Sequence, residues 1–117
     1  MDLAQAATQF GALAHTTRLQ VFKALIQAGP GGRPAGELAD LVSVSPSNLS
    51  AHLTVLNQAD LITMRRDGRM RIYAVSIERT AELVSFLVED CCQGHPEICQ
   101  IAQADISASK LSSSCSA

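Results

Sequence analysis

Three of the four cysteines in this 117-residue chain, Cys91, Cys92 and Cys99, fall in the stretch DCCQGHPEIC, and the fourth, Cys115, stands near the end. Three thiols so close together suit a soft ion, a redox couple or, with His95, a Cys3His zinc site. A Cys91–Cys92 disulfide is unattractive, because neighbouring Cα atoms lie only about 3.8 Å apart, below the usual disulfide range. On an unbroken helix Cys92 and Cys99 would share a face but sit about 10 Å apart along the axis, too far to hold one atom. Gly94 and Pro96 offer a way round this: Gly suits a helix end, and Pro96 disfavours helical geometry at His95. The chain can then turn and bring Cys99 back as a three-thiol claw. No Lys or Arg flanks the thiols to lower a pKa, which weakens the redox reading. Cys115 is read as a tail thiol without a required role.

A second concentration of chemistry lies earlier. Of the nine basic residues, Arg65, Arg66, Arg69 and Arg71 cluster in one short stretch, opposed there only by Asp67. Directly before them, the segment after Pro46 carries Ser47, Ser50, Ala51 and Thr54 on one helical face, with Asn48 and His52 on its flank. Small polar side chains allow close approach to base edges; Asn can bond adenine in bidentate fashion, and Ala51 can meet a thymine methyl. An ordinary solvated helix face explains such a pattern equally well when taken alone. Four arginines at a hairpin directly after it tip the balance toward phosphate contacts beside a groove.

The elements that must position these groups can be read from periodicity. Leu3 to Ala14 repeats apolar residues at helical spacing. Thr16 or Thr17 can cap a second helix in which Leu19, Phe22 and Ile26 share a face widened by Val21 and Leu25. GPGGRP, residues 29–34, ends it, and a short helix follows from about Ala35 to Val42 with Leu38 and Leu41 facing inward. In SVSP, residues 43–46, Ser45 is a cap and Pro46 fits the first helical position, so a new helix begins with Leu49, Leu53 and Leu56 as its buried stripe. After Asp60 the pattern becomes extended. LITM and RIYAV flank RRDGRM, with Asp67-Gly68 as the two-residue turn. A last helix runs from Ile77 to Cys92, apolar around most of its circumference, which asks for burial on more than one side.

The predicted fold class is therefore mainly α with a β-hairpin wing, a winged helix-turn-helix, with one domain over residues 1–102 and a flexible Ser-rich tail over 103–117. With 47% hydrophobic residues but only 3% aromatic, the core must be thin and aliphatic, which favours a homodimer. A net charge of −2 argues against indiscriminate coating of nucleic acid or anionic membrane. No apolar run approaches a membrane span, and MDLAQAATQF lacks the features of a signal peptide, so a cytoplasmic location is expected. Catalysis is not expected: there is no Cys-x-x-Cys and no nucleophile elbow, and the three histidines sit in separate elements.

The segments ALAHTTRLQVFKAL, ELADLVSVSPSNLSAHLTVLNQADLI and RRDGRMRIYAV resemble the winged-helix repressors of the ArsR/SmtB family, over nearly the whole stretch from Phe10 to Cys99. The resemblance implies a homodimer joined through its first and last helices. Such a dimer binds two-fold-symmetric operator DNA and represses a detoxification operon until an inducer binds. It implies that Ser47, Asn48, Ser50 and His52 lie on or beside the reading helix and Arg69 and Arg71 in the wing. Ala51 departs from the polar or basic residue often found at its position, which bears on base specificity. His15 falls in the family's helix-junction motif and is read there as a packing or capping residue.

Members of that family differ in the ion they sense. LADLVSVS, residues 38–45, lacks the cysteines of the older arsenic-responsive site, and SIERTAELVSFLVED has no histidine for the zinc site of other members. CCQGHPEIC resembles the C-terminal Cys-Cys...Cys site of arsenic-responsive repressors, which implies Cys91, Cys92 and Cys99 as ligands of trivalent arsenic, or of antimony. The chemistry agrees, since these soft ions with a lone pair favour three thiolates. Zinc or another soft metal, and thiol redox sensing, remain alternatives on the same fold. A metal-buffering protein that never binds DNA is disfavoured by the arginines and the polar face after Pro46.

Overall fold

A computed structural model describes the backbone of residues 1–94 and the side chains of residues 1–88. The described residues divide into two compact units: Asp2–Thr80 form one, and those from Ala81 onward belong to the other. The first holds four helices and a small sheet: α1 (Leu3–Leu13), α2 (Thr16–Ala28), β1 (Arg33–Pro34), α3 (Ala35–Val42), α4 (Pro46–Gln58), β2 (Ile62–Asp67) and β3 (Met70–Val75). Helix α5 (Ile77–Gly94) begins in this unit and continues into the second.

Local chemistry accounts for most of the boundaries. Asp2 accepts from the Gln5 backbone N–H at 2.8 Å while the Gln5 side chain accepts from the Asp2 N–H at 3.1 Å, a reciprocal cap that starts α1. Helix α2 is capped by His15 and not by Thr16 or Thr17: its Nδ1 accepts from the Thr17 N–H at 3.2 Å, and both threonines lie inside the helix. Ser45 accepts from the Asn48 N–H at 3.2 Å and Pro46 opens α4, as the sequence predicts. Ser43 stops α3 in the left-handed conformation, at φ 57°.

GPGGRP does more than end α2. Its last two residues form β1, which pairs antiparallel with β3 and gives a three-stranded sheet in the order β1-β3-β2. Gly32 is required there twice over: its φ is +74°, and a Cβ would collide with the Tyr73 carbonyl. The hairpin turn is shifted by one residue from the Asp67-Gly68 expectation. Asp67 pairs with Met70, so Gly68 and Arg69 are the two turn residues, and only Gly68 needs positive φ, at 63°. That is the form of two-residue turn that takes glycine at its first central position.

The core of this unit gathers Val21 and Leu25 from α2, Leu38 from α3, Leu49, Leu53 and Leu56 from α4, and Leu61 and Ile62 at the start of β2. Each such side chain contributes roughly 1.5–3 kcal/mol relative to exposure. Two inward assignments fail. Leu41 is exposed, with Ala39 taking the buried place beside Leu38 in α3, and the stripe expected in α2 is rotated, so that Val21, Phe22 and Leu25 are buried while Leu19 and Ile26 face out. Helix α1 buries Ala6, Gln9 and Ala12 and leaves Leu3 and Phe10 exposed. In the second unit, Leu83 is buried and Val84 and Leu87 are exposed.

Candidate nucleic-acid interface

Leu49, Leu53 and Leu56 anchor α4 by one face, so the opposite face is held outward by packing and not by its own polarity. Ser47, Asn48, Ser50, Ala51 and Thr54 are all exposed on it, and His52 is half-buried at its edge. Their hydrogen-bonding capacity differs. Thr54 donates its hydroxyl to the Ser50 carbonyl at 2.9 Å, and Ser47 lies 3.4 Å from the capping Ser45 hydroxyl. The Asn48 backbone N–H is engaged by Ser45, which leaves its side-chain amide as the free donor and acceptor pair at the start of the helix.

The strand register sorts the arginines. Arg66 lies directly opposite Arg71, Met64 opposite Tyr73 and Arg65 opposite Ile72. Because residues alternate faces along a strand, Arg66 and Arg71 share the face of Met64 and Tyr73, while Arg65 belongs to the other. Arg65 is committed: its guanidinium donates to the Gly31 carbonyl at 2.9 Å and ties the wing to the loop after α2. Arg69 stands in the turn itself. The sequence singled out Arg69 and Arg71; the register puts Arg66 directly across from Arg71.

The wing and α4 meet. Arg71 and Tyr73 line a cavity of about 160 Å³ together with Pro46, Leu49, Ser50 and Leu53 of α4 and Ala35 and Gly36 of α3. Arg71 of the wing and Ser50 of α4 therefore line one cavity. Arg33 is paired with Glu37 at 3.3 Å, an exposed pair that contributes at most about 1 kcal/mol.

His52 also meets a residue the sequence left aside. Its ring lies against that of His15, with centroids 4.6 Å apart and the planes tilted by 47°. Burial, and then the neighbouring His15 and Arg18 charges, hold His52 below the usual imidazole range.

Cys91 and Cys92 fall on helical backbone in the last turn of α5, whose side chains are outside the described set, and Cys99, His95, Pro96 and Cys115 lie outside the described residues. Among the described residues no group of three or more His, Cys, Asp or Glu is placed to hold a metal.

Helix α3, a tight turn, α4 packed by one face and a β-hairpin rich in arginine after it define a winged helix-turn-helix fold. Similarity to known proteins narrows the class. A helix-turn-helix domain family matches residues 13–65. The HTH-type transcriptional regulator Rv0081 of Mycobacterium tuberculosis is 36% identical over 77 residues, 65% of each chain, so this chain spans about two thirds of that relative's length. A probable mercury resistance operon repressor of Streptomyces lividans is 33% identical over 75 residues, 64% of this chain and 58% of that one. Among solved structures, a homodimeric winged helix-turn-helix domain from Mycobacterium bovis, described as a possible ArsR-family regulator, superposes with a TM-score of 0.62. It is 30% identical, over 80% of this chain and 85% of its own. A possible transcriptional regulator for arsenical resistance gives 0.62 at 31% identity, over 71% and 83%. The chain belongs to the ArsR/SmtB-type winged-helix regulators.

Proposed function

We propose that this chain is a homodimeric transcriptional repressor that binds operator DNA and is released when trivalent arsenic or antimony binds Cys91, Cys92 and Cys99. The observation that carries the DNA reading is the cavity lined jointly by Arg71 of the wing and Ser50 of α4, next to the exposed polar face of α4. Asn48, Ser47 and Ser50 read base edges, His52 flanks them, and Arg66, Arg69 and Arg71 hold phosphates. The homodimeric Mycobacterium bovis domain and the exposed Leu3, Phe10, Val84 and Leu87 support assembly through α1 and α5.

The inducer reading rests on the count and softness of the thiols, with the sensing and DNA-binding residues all within 1–102. The arsenical-resistance neighbour supports it. A mercuric ion is the second reading, favoured by the Streptomyces relative and by the same preference for thiolate. One experiment separates these. An operator is selected from random duplexes, and its complex with the full-length protein is titrated with arsenite, antimonite, mercuric ion, zinc or peroxide. Release by arsenite or antimonite at stoichiometric concentration supports the metalloid reading, release by mercuric ion alone replaces it, and failure to select any duplex removes the DNA reading.

A further inference from the structure

Two side-chain ties join the α1–α2 end of the first unit to α4. Gln9 of α1 donates its side-chain amide to the Ala59 carbonyl at the C-terminus of α4, at 3.1 Å, and is itself buried. At the other end, the His15 ring packs on His52. Arg18 closes the junction by donating from Nε to the Ala12 carbonyl, at 2.6 Å. The helix proposed to join protomers and the helix proposed to read DNA are thus held together at one place by two imidazoles.

We propose that the His15–His52 contact is a proton-sensitive latch, closed when both rings are neutral and opened by acid, which makes operator binding depend on pH independently of the thiols. The geometry requires a neutral His15: its Nδ1 caps α2 by accepting from the Thr17 N–H, and a proton on that atom removes the cap. The new charge would sit at the positive end of the α2 dipole, against the His52 ring and beside Arg18.

Among the described residues, no carboxylate is named among the groups that act on His52. Helix α1 has no titratable side chain between Leu3 and Leu13, and His52 is the sole titratable residue of α4. On the elements packed against α4, α2 carries Arg18 and Lys23, α3 carries Glu37 and Asp40, and β2 carries Arg65, Arg66 and Asp67. Among these and His15, the charges that act on His52 are those of His15 and Arg18, both unfavourable to a further proton.

The sign follows from linkage. An imidazole whose folded pKa lies below its unfolded value near 6.5 favours the folded, latched form fully above that pH; the advantage is lost as pH falls through the lower, folded pKa. Acid therefore loosens the tie between the α1–α2 junction and the reading helix.

The inference rests on the DNA reading for its consequence but not for its mechanism, and the experiment has an arm for each. Without DNA, the ring protons of His15 and His52 in the full-length dimer are followed by NMR from about pH 8 to 5, the range in which imidazoles titrate. In the parent, His52 should titrate below its ordinary range, and His15→Asn, which keeps a capping side chain but removes the ring, should move it upward. An unmoved His52 overturns the latch.

With the selected operator, the parent Kd should rise about fivefold or more between about pH 7.5 and 5.5, and His15→Asn, close to the parent at the higher pH, should lose most of that dependence. A parent affinity that strengthens in acid also overturns the proposal, since imidazolium attraction to phosphate would then outweigh the latch. Absence of operator binding at every pH defeats the DNA reading and leaves the titration arm to decide the latch.

Discussion

On the proposed DNA reading, single residues divide the positive charge of the wing into a structural and a binding share. Arg65 has its guanidinium on the Gly31 carbonyl, whereas Arg66 and Arg71 stand opposite each other on the other face of the hairpin. Like charges directly opposite across a strand pair are unfavourable in the free protein, and a bridging phosphate relieves that repulsion. Arg66→Ala, Arg69→Ala and Arg71→Ala should each weaken specific and nonspecific DNA alike. Each should also flatten the plot of log affinity against log salt by about one unit for every phosphate no longer neutralised per protomer. Arg65→Ala should change the salt slope least, since its donors serve the loop. Fluorescence anisotropy at several salt concentrations checks both statements, and equal slopes for all four variants would remove the division drawn from the register. At the thiols, Cys91→Ser, Cys92→Ser and Cys99→Ser should each keep operator affinity and resist release by arsenite, with Cys115→Ser behaving as the parent. Loss of induction in Cys115→Ser alone would overturn the assignment.

At the scale of elements, the wing stands on β1, and β1 stands on one glycine. Gly32 has positive φ and passes so close to β3 that any Cβ meets the Tyr73 carbonyl. Gly32→Ala should therefore destabilise the protein by roughly 2–4 kcal/mol, combining the strain of positive φ with a backbone collision that no side-chain rotation relieves. Urea denaturation measures it, and a change within about 0.5 kcal/mol would show that the β1–β3 pairing is dispensable. The surviving protein should also bind DNA less well, because Arg65 is tied to Gly31 in the same loop and the wing would lose its anchor.

For the whole molecule, the exposed apolar residues of α1 and α5 and the proposed inducer response make two connected predictions. Phe10→Glu places a charge on a side chain that the dimer reading buries; sedimentation should then show monomers, and operator affinity should fall by well over tenfold, because two half-sites would no longer be engaged together. Dimers that persist in Phe10→Glu would move the interface off α1. Linkage supplies the second. If arsenite lowers operator affinity through a coupling of about 1–3 kcal/mol, operator must lower arsenite affinity by the same factor. Calorimetric titration of arsenite into protein with and without operator tests this, and equal affinities would falsify the allosteric reading whatever the ligands are.

What the sequence determined on its own were the features set by near neighbours. The Ser45-Pro46 start of α4 and its Leu49, Leu53 and Leu56 stripe are local, because capping and helical periodicity act within one or two turns. The arginine-rich hairpin is local for the same reason, and the thiol cluster is a matter of composition and spacing. Tertiary structure decided what depends on partners far along the chain. Leu41 and Ile26 have the right chemistry for a core but lie on faces that nothing in their own unit covers, whereas Ala39 and Val21 lie on faces that are covered; periodicity fixes the width of an apolar stripe but not which part of it finds a neighbour. The turn moved by one residue because register is set by how β3 sits between β1 and β2, which also separates Arg65 from Arg66 and Arg71. His15 and His52 lie 37 positions apart, the separation of 15 from 52, and only the packing of α2 on α4 brings their rings into contact.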